Sequence, residues 1–195
     1  MTDNCLIVGL GNPGLQYART RHNLGFIVIE ALAQKHRMRL KVSRVCRGLV
    51  AEGSIQDRAC LLLMPMTYMN HSGVAVRDLV AYYKIPLDGL LVVCDDFTLP
   101  FGQCRVRSQG SDGGHNGLAS VVSLLDSDAF PRLRMGVGAP PPGRDPVDYV
   151  LAGFEKNERE QLDAFVDQGA ECCQLWLRED IGKVMSQFNK RKENG

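Results

Sequence analysis

No run of apolar residues in this chain approaches the roughly 20 needed to span a bilayer as a helix. The longest, such as Leu90-Leu91-Val92-Val93-Cys94, are of strand length. The first residues, Met1-Thr2-Asp3-Asn4, carry no basic stretch, and no small-residue cleavage site follows them. The expectation is a chain without signal peptide or membrane contact, working in the cytoplasm. Charge of one sign is also lacking: 23 Lys and Arg face 22 Asp and Glu, for a net +1. That excludes a protein that coats nucleic acid through bulk charge, though not one with a local basic patch. The seven cysteines, at positions 5, 46, 60, 94, 104, 172 and 173, are odd in number and contain no Cys-x-x-Cys. A disulfide framework or zinc site would need other spacings, so reduced and mostly buried thiols are expected. Neighbours on one helix point in different directions, so Cys172 and Cys173 are not expected both to face inward. The nucleophile elbow G-x-S-x-G is absent, and the apolar run before Cys94 marks it as a buried thiol. Water is left as the attacking species of any hydrolysis.

What is present is an alternation of strands and helices. Cys5 to Leu10 reads as a buried strand, and Leu24, Ile27, Val28, Ala31 and Leu32 recur at helical spacing. Leu49–Ile55 and Ala59–Met64 flank Gln56-Asp57-Arg58 as a hairpin. Val74–Tyr83 reads as a helix stopped before Pro86, and Leu90–Asp95 as a buried strand ending on carboxylates. Cys104–Arg107 alternates as a half-exposed strand, Gly117–Leu125 reads as a helix and Leu133–Val137 as a strand. The proline-rich 139–146 stretch reads as a loop. A long helix from about Asn157 to Leu177 and a short one near Val184 follow, and Lys190-Arg191-Lys192 reads as part of a frayed basic tail, 190–195. The pattern predicts an α/β fold: one domain over residues 1–195, with a mixed, mostly parallel central sheet flanked by helices. Ligands of such sheets bind beyond the carboxyl ends of the strands.

The residues with chemistry follow apolar strands. Gly9-Leu10-Gly11-Asn12-Pro13-Gly14 matches G-x-G-x-x-G, but Pro13 and the polar run to Arg21 delay the helix that a dinucleotide site needs. A tight turn bringing the Asn12 amide to a ligand fits better. His22 precedes the first helix, Tyr68-Met69-Asn70 follows one strand, and Asp95-Asp96 end another. A histidine can take a proton from water while a carboxylate fixes its tautomer, and amides can hold a carbonyl or its oxyanion. Gly113-Gly114-His115-Asn116-Gly117 opens a helix, where Asn116 could be a cap or a ligand contact. Arg105 with Arg107, and Arg132 with Arg134, each share a strand face and could read phosphates. The histidines and carboxylates form no metal motif.

Together these segments closely resemble the bacterial-type peptidyl-tRNA hydrolase family. The matching stretches are Leu6–Gly14, Tyr17, Thr20–Asn23, Pro65–Gly73, Asp95-Asp96, Gly113–Gly117 and Arg132–Arg134, continuing through Gly143–Pro146 and Asp148–Leu151. The resemblance implies a single α/β domain that hydrolyses the ester between a peptide, or N-blocked aminoacyl group, and the 3′ end of tRNA, recycling tRNA from aborted translation. It implies His22 as the base that activates water and Asp95 as its orienting partner. Asn12 would contact the peptide near the ester, Asn70 the terminal nucleotide or ester carbonyl, and Asn116 the water or substrate backbone. Tyr17 and Tyr68 would pack on the tRNA end, with Met69 and His115 beside them. Arg105, Arg107 and Arg134 would hold phosphates. The implied partner is peptidyl-tRNA, through its 3′ CCA end and acceptor stem, with no cofactor, no metal, no obligate protein partner and a monomeric chain. The chain departs from the family pattern at Cys94, Thr98, Phe101, Ser108 and Gln109, none of them assigned to catalysis. A non-catalytic RNA-binding relative of the same fold is the alternative.

Overall fold

The computed structural model describes residues 5–189. The basic tail from Lys190 onward lies outside these residues. The strands are β1 (Cys5–Gly9), β2 (Lys41–Val42), β3 (Gly48–Ile55), β4 (Arg58–Pro65), β5 (Leu90–Asp96), β6 (Cys104–Arg107) and β7 (Arg132–Gly136). The helices are α1 (Leu24–Lys35), α2 (Ser72–Tyr83), α3 (Asn116–Leu125), α4 (Pro146–Val150), α5 (Lys156–Trp176) and α6 (Ile181–Phe188). One sheet runs in the order β2-β3-β4-β1-β5-β7-β6. Its centre, β4-β1-β5-β7, is parallel, and β2, β3 and β6 attach as antiparallel margins.

The near-continuous apolar runs of β1 and β5 follow from this position, because central parallel strands are covered on both faces. Alternate residues serve different layers. Ile7, Leu62, Leu91, Val93, Leu133 and Met135 face a core shared with α1, α5 and α6. Leu6, Val8, Leu61, Leu63, Leu90 and Val92 face the other, shared with α2 and α3. The predicted hairpin, the half-exposed Cys104–Arg107 strand and the principal helices are all present.

Two expectations change. Cys172 and Cys173 are both fully buried, because α5 is enclosed broadly enough for adjacent positions to face the core that it shares with α1, α6 and the sheet. Pro146 does not belong to the loop: it opens α4, and Asp145 caps that helix by accepting from the Val147 and Asp148 N–H groups. Asp followed by Pro is the expected cap and first helical residue, so this signal was in the sequence. All seven cysteines are buried and no disulfide forms among the described residues.

The join between β1 and α1 positions the site. A Cβ on Gly9 would lie 2.1 Å from the Gly25 carbonyl oxygen, and one on Gly25 would lie 2.4 Å from the Leu10 nitrogen. Two glycines therefore let the start of α1 lie against the end of β1. The 3-10 turn Arg21–Asn23 is thereby set over the carboxyl end of the sheet.

Candidate active site

The carboxyl ends of β1, β4, β5 and β7 open onto a cleft of about 590 Å³. It gathers Asn12, Tyr17, His22, Tyr68, Met69, Asn70, Asp95, His115, Asn116 and Arg134. Ten of the twelve predicted site residues thus meet in one place. Arg105 and Arg107 stand outside it, half-buried on β6 at the sheet margin.

Asp95, 3% exposed, is the hub. His22 Nδ1 lies 2.9 Å and 3.1 Å from its two oxygens, and His115 Nε2 lies 3.0 Å from Oδ1. The two rings are tilted by 46° with centroids 4.9 Å apart. Burial by itself raises the Asp95 pKa, but the electrostatic attraction and hydrogen bonds of the two imidazole N–H groups outweigh it and hold the carboxyl well below the usual range. An ionised carboxylate only accepts, so the facing nitrogen of each ring must carry hydrogen. His115 gives independent proof of its tautomer. Its Nδ1 accepts from the Gly117 and Leu118 N–H groups at 3.1 Å and 3.2 Å, so its proton is on Nε2. His115, not Asn116, is the N-cap of α3. The left-handed backbone of Gly113 and Gly114, at φ +59° and +80°, delivers it there, a conformation that suits glycine. Since His22 donates through Nδ1, its Nε2 keeps a lone pair whenever the ring is neutral.

Asn12 is held from three sides. Its N–H donates to Asn23 Oδ1 at 2.9 Å and its carbonyl accepts from Asn23 Nδ2 at 2.9 Å. Its side-chain oxygen accepts the Met69 N–H at 2.8 Å. That donor fixes the amide orientation and leaves Nδ2 as the group without a hydrogen-bond partner among the described residues. No helix opens at the glycine turn, as the poor dinucleotide match anticipated. Asn23, 2% exposed, was present in the motif but had no assigned role; its contacts with Asn12 span eleven positions, and no local pattern announces them. Tyr68 is 61% exposed at the mouth, while Asn70 and Asn116 are exposed and line the cleft. Pro146, Val147, Val150 and Leu151 add an apolar stretch to the lining.

The arginines divide. Arg134 is half-buried and forms a 2.6 Å ion pair with Asp96 at the cleft. Arg132 is 1% exposed, and its guanidinium donates to the carbonyls of Gly110, Ser111, Asp128 and Phe130. It secures the loop that leads to His115 and is closed to phosphate. Arg21, beside His22, is also 1% exposed. It donates to the Gly153 carbonyl and to Glu158, both at 2.6 Å, and its guanidinium lies 4.3 Å from the Tyr149 ring centroid. Burial pushes the Cys94 thiol far above its ordinary value, and the neighbouring carboxylates push it further, so it is no nucleophile.

His22, Asp95 and His115 form the one His/Cys/Asp/Glu group compact enough for a metal ion among the described residues. A ligating imidazole needs a lone pair towards the ion and a hydrogen on its other nitrogen. His115 has the reverse arrangement, because two backbone N–H groups already occupy Nδ1. The donor set does not suit a three-ligand site. No helix of the described residues is long and apolar enough to cross a membrane.

Comparison with known proteins shows the family. The sequence profile of a family described as peptidyl-tRNA hydrolase matches residues 6–195. The peptidyl-tRNA hydrolase of Carboxydothermus hydrogenoformans is 48% identical over 185 residues, covering 95% of this chain and 98% of that protein. That of Roseiflexus castenholzii is 49% identical, covering 94% of this chain and 86% of its own. The crystal structure of peptidyl-tRNA hydrolase from Acinetobacter baumannii superposes with a TM-score of 0.91 at 36% identity, over 98% of this chain and 97% of that one. With a profile match along almost its full length, relatives near half identity and a shared fold, the chain belongs to the peptidyl-tRNA hydrolase family.

Proposed function

We propose that the chain hydrolyses peptidyl-tRNA by water attack, with His22 as general base and Asp95 as the residue that holds it. Neutral His22 takes a proton from water at Nε2 as the water oxygen adds to the ester carbonyl. The buried carboxylate stabilises the imidazolium that forms. Collapse of the tetrahedral intermediate breaks the bond to the ribose 3′ oxygen. That oxygen receives the proton from His22, releasing tRNA with a free 3′ hydroxyl and the peptide as its acid. The observation that carries this reading is the orientation of His22: Nδ1 committed to Asp95, with Nε2 left as the base.

The remaining cleft residues divide the substrate among them. Asn12 Nδ2 suits a contact with the peptide beside the ester, and Asn70 and Asn116 suit the carbonyl, its developing oxyanion and the water. Tyr17 and Tyr68 offer faces for the bases of the CCA end, beside Met69. The apolar stretch of Val147, Val150 and Leu151 suits the side chains of the peptide. Arg134, with Arg105 and Arg107 further out, suits the phosphates of the acceptor stem. His115 is a positioning residue that acts through Asp95. The scheme uses no metal or cofactor and draws its groups from one chain; the reading is of a monomer that returns tRNA from aborted translation in the cytoplasm. Release of peptide from purified N-acetyl-aminoacyl-tRNA is the test. Peptide release that is lost in His22→Ala is expected; tRNA binding without turnover would instead identify a non-catalytic RNA-binding relative.

A further inference from the structure

A marked accumulation of positive charge lies outside the cleft. Between Glu30 and Glu52 the chain has no acidic residue, yet it carries Lys35, Arg37, Arg39, Lys41, Arg44 and Arg47. All six are exposed, and none forms an ion pair with the described residues. The whole chain has a net charge of only +1, so this is a local accumulation. Like charges held together repel, and among the described residues no carboxylate lies within ion-pair distance of them.

The segment is built, not trailing. Arg37 turns the chain out of α1 in the left-handed region, at φ +53°, while the Met38 N–H returns to the Ala33 carbonyl. Lys41 sits on β2, paired with Val50 of β3. Ser43 closes the following loop: its N–H donates to the Gly48 carbonyl and its hydroxyl accepts from the Val45 and Cys46 N–H groups. The loop presents Arg44 and Arg47 at the end of the sheet where the cleft opens. The Arg47 carbonyl accepts the Met66 N–H, two residues before Tyr68 at the cleft mouth. β2 is the margin of the sheet, and a charge on an edge strand discourages pairing with another chain. Lys41 alone meets that need; six cations reaching back to the mouth exceed it.

We propose that this ribbon docks the phosphate backbone of the double-stranded body of the substrate tRNA, beyond the CCA end held in the cleft. The inference rests on the peptidyl-tRNA reading above. It places a phosphate track on the margin opposite β6, which carries Arg105 and Arg107, and gives whole tRNA an affinity that a short ester lacks. Phosphate contacts supply sequence-independent affinity that weakens with salt.

The test is the Arg39→Gln/Lys41→Gln/Arg44→Gln/Arg47→Gln variant of the full chain, with unchanged Tm as the folding control. Two substrates are compared: N-acetyl-aminoacyl-tRNA, and the same N-acetyl-aminoacyl ester on a CCA trinucleotide. On whole tRNA, KM should rise roughly tenfold, since each exposed ion pair contributes a factor of a few. The slope of log KM against log salt should flatten by about one unit for every phosphate that the variant no longer neutralises. kcat should hold, and turnover of the trinucleotide ester should match wild type. A variant restoring charge, with Lys at 39, 44 and 47 and the native Lys41, should recover most of the affinity. An unchanged salt slope on whole tRNA, or an equal KM rise on both substrates, would overturn the ribbon. Failure of the wild-type chain to cleave either ester would instead sink the hydrolase reading on which it rests.

Discussion

Asp95 shows how one residue can tie chemistry to stability. Its carboxyl is held below its ordinary value of 3.8 in the folded chain. Between the two values the unfolded chain binds the additional proton, so acid favours unfolding there. The stabilisation is complete above the ordinary value and lost as pH falls through the folded one. Denaturant unfolding from about pH 5 down to about pH 2 should therefore show a shallower stability loss in Asp95→Asn than in wild type; parallel curves would remove Asp95 as the responsible group. His115→Asn separates the two duties of His115. Asn can cap α3 but cannot reach the carboxylate as an imidazole does. Tm should hold while kcat falls about tenfold to hundredfold, the worth of a hydrogen bond to a buried charge, with KM little changed. A rise in KM at constant kcat would make His115 a substrate contact instead. His22, Asp95 and Asn12 were legible in the sequence because each follows an apolar strand or opens a helix. The tautomer of His115 was not, since it depends on two backbone N–H groups that only the fold brings to Nδ1. Arg132 escaped sequence reasoning for the same reason: alternation places it beside Arg134, but the Gly110 and Ser111 carbonyls that help enclose it come from a distant loop.

Secondary elements act here mainly by how closely they approach. The Gly9–Gly25 contact lets α1 meet β1, and through the adjoining 3-10 turn it sets the position of His22. In Gly25→Ala the new Cβ would meet the Leu10 nitrogen at 2.4 Å and the Leu10 and Val93 carbonyl oxygens at 2.6 Å each. Backbone atoms cannot step aside as a flexible side chain can. Overpacking of this kind costs about 1–3 kcal/mol, and the melting temperature should drop by several degrees, at about 2–4 °C per kcal/mol for a chain of this size. Activity should fall with it; an unchanged Tm and rate would show that this approach is not needed. The strand assignments were legible because burial on both faces leaves near-continuous apolar runs. The short elements were less so: β2 has two residues, too few for a period, and α4 was hidden by the prolines before it. At the other margin, Asn189 accepts the Val106 N–H and donates to its carbonyl, covering part of the β6 edge from 83 positions away.

In the molecule as a whole, a parallel centre gathers one end of four strands, and a cleft at that end holds His22, Asp95 and the amides of the proposed hydrolysis. The basic ribbon and the Arg105–Arg107 strand lie at opposite margins of the sheet, so the proposed phosphate contacts flank the cleft on two sides. In the proposed mechanism His22 and Asp95 act as a single base built from two residues. The most direct measurement is kcat/KM for peptide release from N-acetyl-aminoacyl-tRNA by wild type, His22→Ala, Asp95→Asn and the double variant, with folding checked for each. Loss of a general base costs about 10²–10⁴-fold, and His22→Ala should fall in or beyond that range. Asp95→Asn should lose rate while keeping its tRNA affinity, and the double variant should be little worse than His22→Ala, because Asp95 acts through the histidine. Near-wild-type release by His22→Ala, or losses that simply multiply in the double variant, would contradict it.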